Sequence, residues 1–296
     1  MYKIGVDIGG SHIGVGIVDN SGNILIKMDK DINKSYKPQG IVEEVISLLN
    51  LICKDFDIEI KDIESIGIGI PGVIKDNKII NTPNLSLGGY NLEEEMKKHI
   101  DVPINICNDA NCATIAENLF GNLKGCNNGV LITLGTGIGA GIIINKELYI
   151  GNNGGAGEIG WTIIKDNKSF GKLASITALR SMVIQEFELE DSITGKELVK
   201  ILKNEYKTNE GEDYRINQII DEYVENLSIG ILNVIKTLDV DKVVLGGSFV
   251  YYKEIFLSKI IQKVNELNKK LEGSYRCKID IAKFNNDAGI IGASQL

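Results

Sequence analysis

The chain carries two glycine-rich hairpins of the same design, one in each half, and this repeat constrains its fold more than any other feature. Residues 7–18 read Asp-Ile-Gly-Gly-Ser-His-Ile-Gly-Val-Gly-Ile-Val, and residues 133–144 read Thr-Leu-Gly-Thr-Gly-Ile-Gly-Ala-Gly-Ile-Ile-Ile. Each places a tight glycine turn between two apolar strands. Such a turn leaves backbone N–H groups pointing one way, with no Cβ to block an approaching anion. The matched pair predicts two lobes that bind a polyphosphate between them.

Composition narrows the class of protein. A chain of 296 residues suits two domains of ordinary size. Its 43% hydrophobic and 24% charged residues, with a mean hydropathy of +0.01, are typical of a soluble globular protein. The net charge of −8 and the pI near 5.0 argue against nucleic-acid and anionic-membrane partners, because no basic face is available to neutralise phosphates.

The N-terminus and the cysteines favour a cytoplasmic protein. Asp7 follows the first residue so closely that we expect neither a signal peptide nor a DNA-binding module. The cysteines are Cys53, Cys107, Cys112, Cys126 and Cys277. They form no C-x-x-C pair, and the histidines are His12 and His99. A zinc site would need scattered ligands, so we expect no zinc and reduced thiols.

The first half reads as three antiparallel strands followed by alternating helices and strands. The expected strands are 2–8, 13–18, 23–29, 64–70 and 103–107, and the expected helices are 40–54, 91–99 and 109–120. This order predicts an α/β sheet with an antiparallel edge.

The second half begins the same way, which favours tandem duplication of one fold. Its expected strands are 129–134, 140–145, 242–246 and 276–284, and its expected helices are 177–189, 194–206, 215–238, 253–271 and a last one from 287. A polar, glycine-containing stretch places the boundary near 118–128. We expect an N-terminal lobe of residues 1–120, joined by the C-terminal helix at 285–296, and a C-terminal lobe of residues 121–284.

Eight short motifs in one order resemble the ROK family of bacterial sugar kinases and repressors, within the actin/hexokinase-like ATPase superfamily. They are DIGG at 7–10, GIGIPG at 67–72, PNL at 83–85, NDAN at 108–111, LGTGIG at 134–139, GEIG at 157–160, LGG at 245–247 and DAG at 287–289. The resemblance runs nearly end to end. It implies an α/β, two-lobed fold built from duplicated ribonuclease H-like halves, with the active site in the cleft between the lobes.

Asp109 is the candidate catalytic base. Phosphoryl transfer needs an acceptor hydroxyl in line with the γ-phosphate, neutralised charge around that phosphate, and a base for the proton. Asp109 ends an apolar strand and begins a helix, so its carboxylate is expected at the carboxyl edge of the sheet. On the residues alone an N-cap aspartate suits this position equally well. The resemblance to the family favours the base.

Asp7 and the glycine turns are the candidate nucleotide site. A carboxylate beside a triphosphate is repelled unless a cation lies between them, so Asp7 is expected to hold Mg²⁺ through water, with a turn-stabilising aspartate as the alternative. Gly246 and Gly247 end a strand where an adenine ring would lie against bare backbone. The residues expected at the nucleotide and its phosphates are Asp7, Gly9, Gly10, Ser11, His12, Gly135, Thr136, Gly137, Gly246 and Gly247.

The sugar site is implied by the resemblance. Convergent hydrogen bonds reject a wrong epimer best, because they leave buried polar groups unpaired. The residues expected at the sugar are Gly72, Asn84, Asn108, Asp109, Glu158 and Trp161, with Asp109 taking the proton of the 6-hydroxyl. A surface position in a glycine-rich loop is the alternative for Glu158.

One segment departs from the family pattern. Trp161 stands where most members have a zinc-binding histidine, the family's cysteines are missing from 162–170, and Gly171 stands where a sugar-binding glutamate is expected. Either the loop has decayed and leaves a weak or non-catalytic sugar binder, or Trp161 and Phe170 pin it by apolar burial in place of zinc. We prefer the second reading.

The zinc-less loop resembles the branch of the family that includes bacterial N-acetylmannosamine kinases of sialic acid catabolism. The expected activity is ATP-dependent phosphorylation of the 6-hydroxyl of a hexose or N-acylhexosamine, with N-acetylmannosamine first and glucose second. A non-catalytic sugar-sensing regulator is the alternative from another class. The expected cofactors are ATP and Mg²⁺ without zinc, and a homodimer through the C-terminal lobe is expected from the family.

Overall fold

The computed structural model describes residues 2–32, 36–83, 85–203, 214–271, 273 and 276–296. Within them the chain divides into two compact units. The first comprises Met1–Leu131, Gly141–Gly157 and Lys283–Leu296, and the second comprises Ile132–Ala140 and Glu158–Ala282.

Helices and strands alternate along most of the chain. The strands are β1 (Tyr2–Ile8), β2 (His12–Val18), β3 (Ile24–Asp31), β4 (Ile63–Ile70), β5 (Val73–Lys75), β6 (Lys78–Asn81), β7 (Ile104–Asn108), β8 (Gly129–Leu134), β9 (Ile138–Ile144), β10 (Glu147–Leu148), β11 (Ile163–Lys165), β12 (Lys168–Ser169), β13 (Lys242–Gly247) and β14 (Lys278–Ile281). The helices are α1 (Pro38–Asp55), α2 (Leu92–Lys97), α3 (Asp109–Leu119), α4 (Phe170–Ala174), α5 (Ile176–Phe187), α6 (Gly195–Leu202), α7 (Tyr214–Leu238), α8 (Lys253–Lys270) and α9 (Ala288–Ala293).

The sheet of the first unit has the strand order β3-β2-β1-β4-β7. β1, β2 and β3 form an antiparallel meander, and β4 and β7 run parallel to β1. Near-continuous apolar runs such as IGIGI in β4 are buried on both faces, which is usual for parallel strands covered by helices. The predicted α/β sheet with an antiparallel edge is therefore confirmed.

Glycines let the C-terminal helix α9 lie directly on this sheet. A Cβ added to Gly5 would lie 1.8 Å from the carbonyl oxygen of Ile290, and one added to Gly67 would lie 1.7 Å from that of Ala293. On its other side a Cβ added to Gly292 would lie 1.6 Å from the carbonyl oxygen of Cys112 in α3. No side chain fits at these contacts, so glycine is required where α9 meets β1, β4 and α3.

The second half repeats the connection order of the first. Its sheet has the strand order β10-β9-β8-β13-β14. Its first strand, β8, lies in the middle, with the next two strands β9 and β10 on one side and the later strands β13 and β14 on the other, as in β3-β2-β1-β4-β7. β13 and β14 are parallel, like β4 and β7. This shared order is what a duplication of one fold predicts, and the α/β fold expected from the resemblance is confirmed.

Most predicted segments match the observed elements within a few residues. The strand predicted at 276–284 is shorter, as Lys278–Ile281, and the helix predicted to end at 206 ends at Leu202, with 204–206 outside the described residues. The prediction missed the hairpins β5–β6 and β11–β12. Both turn on Asp-Asn pairs with positive φ, at residues 76–77 and 166–167, a pattern typical of tight hairpin turns.

Candidate functional site

A row of aligned residues crosses the sheet of the first unit near the carboxyl ends of β1, β4 and β7. Strand register aligns Asp29, Gly14, Asp7, Gly69 and Cys107 on β3, β2, β1, β4 and β7. Aligned residues on neighbouring strands point to the same face of a sheet, so the side chains of this row share one face. We call it the cross-sheet row. Glycines flank Asp7 on both sides, which leaves space around its carboxylate.

The two candidate carboxylates, Asp7 and Asp109, are electrostatically coupled. Burial raises the pKa of Asp7 to about 7, and the negative charge of Asp109 adds to that rise. Burial also raises the pKa of Asp109 above its ordinary value, against the hydrogen bond that its Oδ1 accepts from the backbone N–H of Ala110 at 2.8 Å. Two partly buried acids with raised pKa values mark a place suited to proton transfer or to a bound cation.

Helix α3 is capped by Asn108 and not by Asp109. The side-chain oxygen of Asn108 accepts the backbone N–H of Asn111 at 3.0 Å, and the helix begins one residue later at Asp109. This geometry separates the two interpretations of Asp109, because the capping role belongs to its neighbour. The carboxylate of Asp109 is not needed as the helix cap.

Asn108 also connects α3 to the hairpin β5–β6. Its amide nitrogen donates to the carbonyl oxygen of Gly72 at 2.9 Å. Gly72 has φ of 126°, and a Cβ there would lie 2.1 Å from the carbonyl oxygen of Asn81, so only glycine fits. The amide of Asn108 retains one further N–H for a ligand hydroxyl. The structure thus brings Gly72, Asn108 and Asp109 together.

Asn77 is a positioning residue that the sequence did not reveal. It lies in the turn of β5–β6, and its amide nitrogen donates to the carbonyl oxygen of Ile104 at 3.0 Å while its oxygen accepts the N–H of Ile106 at 2.5 Å. It therefore pairs with the edge of β7 as a short strand would. This contact ties the β5–β6 hairpin to β7. Asn84, expected at the sugar, lies outside the described residues.

The first glycine turn is crowded. The N–H of Gly9 donates to the carbonyl oxygen of His12 at 2.9 Å, and a Cβ on Gly9 would lie 2.9 Å from the His12 ring. Ser11 and His12 are exposed, and Gly10 is partly exposed. A Cβ on Gly289 would lie 2.7 Å from the carboxylate of Asp7, so the DAG motif packs against this acid.

Lys27 is a cation whose charge acts on Asp7, and sequence reasoning missed it. Its Nζ lies 3.1 Å from both Asp29 and Asp287. Its positive charge lowers the pKa of Asp7, although burial outweighs that effect. Lys27 lies two residues before Asp29 on β3, so an alternating strand pattern places both on one face.

The second glycine turn is open. The N–H of Gly135 donates to the carbonyl oxygen of Gly137 at 3.0 Å, and the carbonyl oxygen of Gly135 accepts the N–H of Ile176 at 3.0 Å. Among the described residues, no atom lies within 4 Å of a Cβ added to Gly135 or Gly137. Thr136 and Gly137 are exposed. Packing therefore does not require glycine here, whereas a ligand that approaches the backbone would.

Gly247 is the last residue of β13 and lies against β8, the strand that leads into the second turn. Its φ of 66° and ψ of −152° are a conformation that glycine adopts and other residues avoid, and a Cβ there would lie 2.7 Å from the carbonyl oxygen of Leu134. Gly246 is buried at the end of β13. The LGG motif therefore abuts the strand that leads into the second turn.

The expectation that Trp161 pins the divergent loop by burial is wrong. Trp161 is 73% exposed, whereas Phe170 is 1% exposed and fits against Gly230 of α7. Of these two aromatic residues, only Phe170 supplies apolar burial. The residues between them form the hairpin β11–β12. Gly171 lies against Gly160, where a Cβ would come 3.2 Å from the carbonyl oxygen. Glu158 is exposed, with Gly157 before it at φ of 91°.

In the part of the chain that the structure describes, no three His, Cys, Asp or Glu side chains cluster so as to hold a metal ion. Among the described helices none is long and apolar enough to cross a bilayer. Among the described residues no two cysteines form a disulfide.

Comparisons with known proteins cover nearly the whole chain. A model of the ROK family matches residues 3–296. The chain is 28% identical to an N-acetylmannosamine kinase of Haemophilus influenzae, over 99% of this chain and 94% of that protein. It is also 28% identical to a glucokinase of Halalkalibacterium halodurans, over 100% and 94%. The structure of a ROK family glucokinase from Streptomyces griseus in complex with glucose and AMPPNP superposes with a TM-score of 0.83 at 24% identity, over 100% and 98%.

Proposed function

The chain belongs to the ROK family, and we propose that it transfers the γ-phosphoryl group of ATP to the 6-hydroxyl of a hexose or N-acylhexosamine. N-acetylmannosamine, as in sialic acid catabolism, is the first candidate substrate and glucose is the second. The similarity to kinases of both sugars supports the reaction class and leaves both substrates open. The observation that carries the proposal is Asp109, a buried acid with a raised pKa that is released from helix capping by Asn108.

Asp109 serves as the general base in this proposal. A base works best when its pKa lies near the operating pH, and burial moves the pKa of Asp109 in that direction. Its carboxylate accepts the proton of the sugar hydroxyl as the oxygen attacks phosphorus. The bond from Ala110 to Oδ1 holds the carboxylate in one orientation, which favours in-line attack.

Asp7 suits a cation that accompanies the nucleotide. Its pKa near 7 shows that the ionised form is poorly compensated by the protein alone, although Lys27 is close. An added divalent cation would remove this cost, so the donor set fits Mg²⁺ held through water by Asp7. Bound Mg²⁺ supplies charge neutralisation around the transferred phosphate.

The backbone turns are the proposed phosphate contacts. The first unit offers Gly9 and Gly10 with Ser11 and His12, and the second offers Gly135, Thr136 and Gly137. Gly246 and Gly247 are the proposed adenine contacts. The openness of the second turn supports this assignment, because its glycines have no packing role that would explain them.

Sugar specificity is assigned to Gly72, Asn84, Asn108, Glu158 and Trp161. The exposure of Trp161 supports a contact with ligand better than a structural role, since an aromatic ring in water gains most by covering an apolar face. An N-acetyl methyl group would supply such a face. We assign the base, the first phosphate turn and the sugar contacts other than Glu158 and Trp161 to residues 1–120 with 285–296. Residues 121–284 would supply the remaining nucleotide contacts, Glu158 and Trp161, and the interface of a homodimer, in line with the family.

A panel of sugars in a coupled assay of ADP release tests the proposal. N-acetylmannosamine, N-acetylglucosamine, glucose and mannose are each added with MgATP, and ATP without sugar gives the baseline. We expect turnover above baseline with at least one of them, and a phosphorus–carbon coupling at C6 of the product by NMR. Sugar binding by calorimetry without ADP release on any sugar would support the sensing regulator instead.

A further inference from the structure

The cross-sheet row ends in a pair of thiols beside the base. Cys107 occupies the β7 position of the row, next to Gly69 on β4. The sulfur of Cys112, in the first turn of α3, lies 3.3 Å from the place where a Cβ of Gly69 would be. Because neighbouring row positions share a face, this sulfur lies beside the side chain of Cys107. The missing side chain of Gly69 makes room for it.

The two thiols influence each other strongly. The interaction with Cys112 is the largest effect on the pKa of Cys107, and the interaction with Cys107 is the largest effect on the pKa of Cys112. Cys112, Asn108 and Asn111 together lower the pKa of Cys107, against the opposing effects of burial and of the Asp109 charge, whereas Cys107 and burial raise the pKa of Cys112. Cys107 is partly exposed and Cys112 is fully buried.

The difference in exposure and pKa between Cys107 and Cys112 suits a nucleophilic thiol with a resolving partner. The sulfur that carries thiolate character and reaches solvent reacts first, and the buried thiol behind it completes the bond. We propose that Cys107 and Cys112 form a peroxide-oxidisable dithiol, and that its disulfide switches off the site at Asp109. The loss of activity rests on the proposed function, whereas the thiol chemistry does not.

The oxidation balances with hydrogen peroxide as the oxidant. The Cys107 thiolate attacks one peroxide oxygen, the O–O bond breaks, and the leaving hydroxide takes a proton to give water and a sulfenic acid. The Cys112 sulfur then attacks the Cys107 sulfur, the S–O bond breaks, and a second water leaves. The two thiols lose two electrons and two protons, and peroxide is reduced to two waters.

The disulfide would act on catalysis through geometry. A sulfur–sulfur bond of about 2.05 Å is shorter than any non-bonded contact between two sulfurs, so its formation would draw the first turn of α3 toward β7. Asn108 and Asp109 lie between the two cysteines in sequence, so the cap and the base move with that turn. A misplacement of about 1 Å at a catalytic group costs about a hundredfold in rate.

Thiol mapping with and without peroxide tests the dithiol directly. The full-length protein with Cys126→Ser and Cys277→Ser is treated with hydrogen peroxide, alkylated, digested with trypsin and analysed by mass spectrometry. No lysine or arginine separates residues 107 and 112, so one peptide reports both thiols. We expect that peptide to lose two hydrogens and to resist alkylation, and dithiothreitol to reverse both effects.

Single variants identify the order of events. In Cys112→Ser, peroxide should leave a sulfenic acid on Cys107 that dimedone traps. In Cys107→Ser, neither crosslink nor trapping should occur. Thermal melting checks that each variant is folded, and Cys112→Ala replaces the serine variant if it is not. A wild-type Cys107 that remains reduced, or that reaches sulfinic acid without the crosslink, would overturn the proposal.

The activity measurement separates this proposal from the function proposed above. With the best substrate of the sugar panel, the crosslinked protein should lose about a hundredfold in kcat and regain it with dithiothreitol. A crosslink that leaves kcat unchanged would overturn the switch. If no sugar is phosphorylated, the proposed function fails while the mapped disulfide still stands on its own readout.

Discussion

The two glycine turns have the same sequence design and very different surroundings. Around the first, side chains crowd the glycines, and Asp7, Lys27 and the neighbouring acids form a charged cluster. Around the second, the space beside Gly135 and Gly137 is open among the described residues. A repeated motif therefore does not imply a repeated reason for its glycines. Neighbouring protein atoms therefore account for part of the glycine requirement at the first turn, whereas a ligand would explain the second.

The largest contrast is expected between two glycine-to-alanine substitutions. Gly67→Ala forces a Cβ to within 1.7 Å of the Ala293 carbonyl oxygen, so α9 must move. Overpacking of this kind costs about 3 kcal/mol of unfolding free energy. Gly135→Ala meets no atom and should change the unfolding free energy by less than about 0.5 kcal/mol. Urea denaturation of both variants measures these values.

Gly135→Ala should instead weaken nucleotide binding. Its methyl group would occupy the space that we assign to phosphate, and we expect KM for ATP to rise about tenfold, equivalent to about 1.4 kcal/mol. KM for the sugar should stay within about twofold, because this contact contributes little to the binding free energy of a separate ligand. An unchanged KM for ATP in the folded variant would remove the second turn from the nucleotide site.

Asp7 should make stability depend on pH in a direction that reveals its buried charge. Its folded pKa near 7 exceeds the ordinary 3.8, so its favourable contribution is fully present below about pH 4 and is lost as pH rises through 7. Asp7→Asn should therefore nearly match the wild type at pH 4 and exceed its unfolding free energy by about 4 kcal/mol at pH 8, without nucleotide or Mg²⁺. Asp166→Asn, an exposed turn aspartate, is the control and should show no such trend.

The smallest expected effect is at Trp161. Because this ring is 73% exposed, Trp161→Ala should leave the melting temperature nearly unchanged. KM for the sugar should rise roughly three- to tenfold, since an aromatic contact is worth about 0.5–1.5 kcal/mol. Tryptophan fluorescence of the wild type should change on sugar addition, and this is the chain's single tryptophan.

Ile163→Ala is the matched control for Trp161→Ala, because Ile163 is 62% exposed in the same segment. It should alter neither the melting temperature nor KM. Equal sugar KM values in the two variants would show that Trp161 has no part in recognition. Trp161→His should not bind zinc, since the described part of the chain offers no cluster of further ligands.

Sequence patterns predicted the elements well because the relevant physics is local. Alternating and continuous apolar runs, with glycine turns between them, located β1, β2, β8 and β9 within a few residues. The duplicated strand order also followed from the repeated hairpins. Local patterning therefore captures much of the framework that positions Asp7 and Asp109.

Features made by tertiary neighbours could not be predicted in the same way. The contacts of Asn77 with β7 and the approach of Lys27 to Asp287 join residues far apart in the chain. The burial of Phe170 depends on the space left by Gly230, while Trp161 finds no equivalent among the described residues. An apolar side chain alone therefore does not reveal whether it packs or stays in solvent.

The most direct test of the account is kcat of Asp109→Asn at saturating sugar and ATP. The amide has nearly the shape of the carboxylate but cannot accept the hydroxyl proton, so kcat should fall about 10²–10⁴-fold. The melting temperature should be kept, and sugar affinity by calorimetry should be largely retained. A folded Asp109→Asn protein with more than about a tenth of wild-type kcat would contradict the assignment of Asp109 as the base.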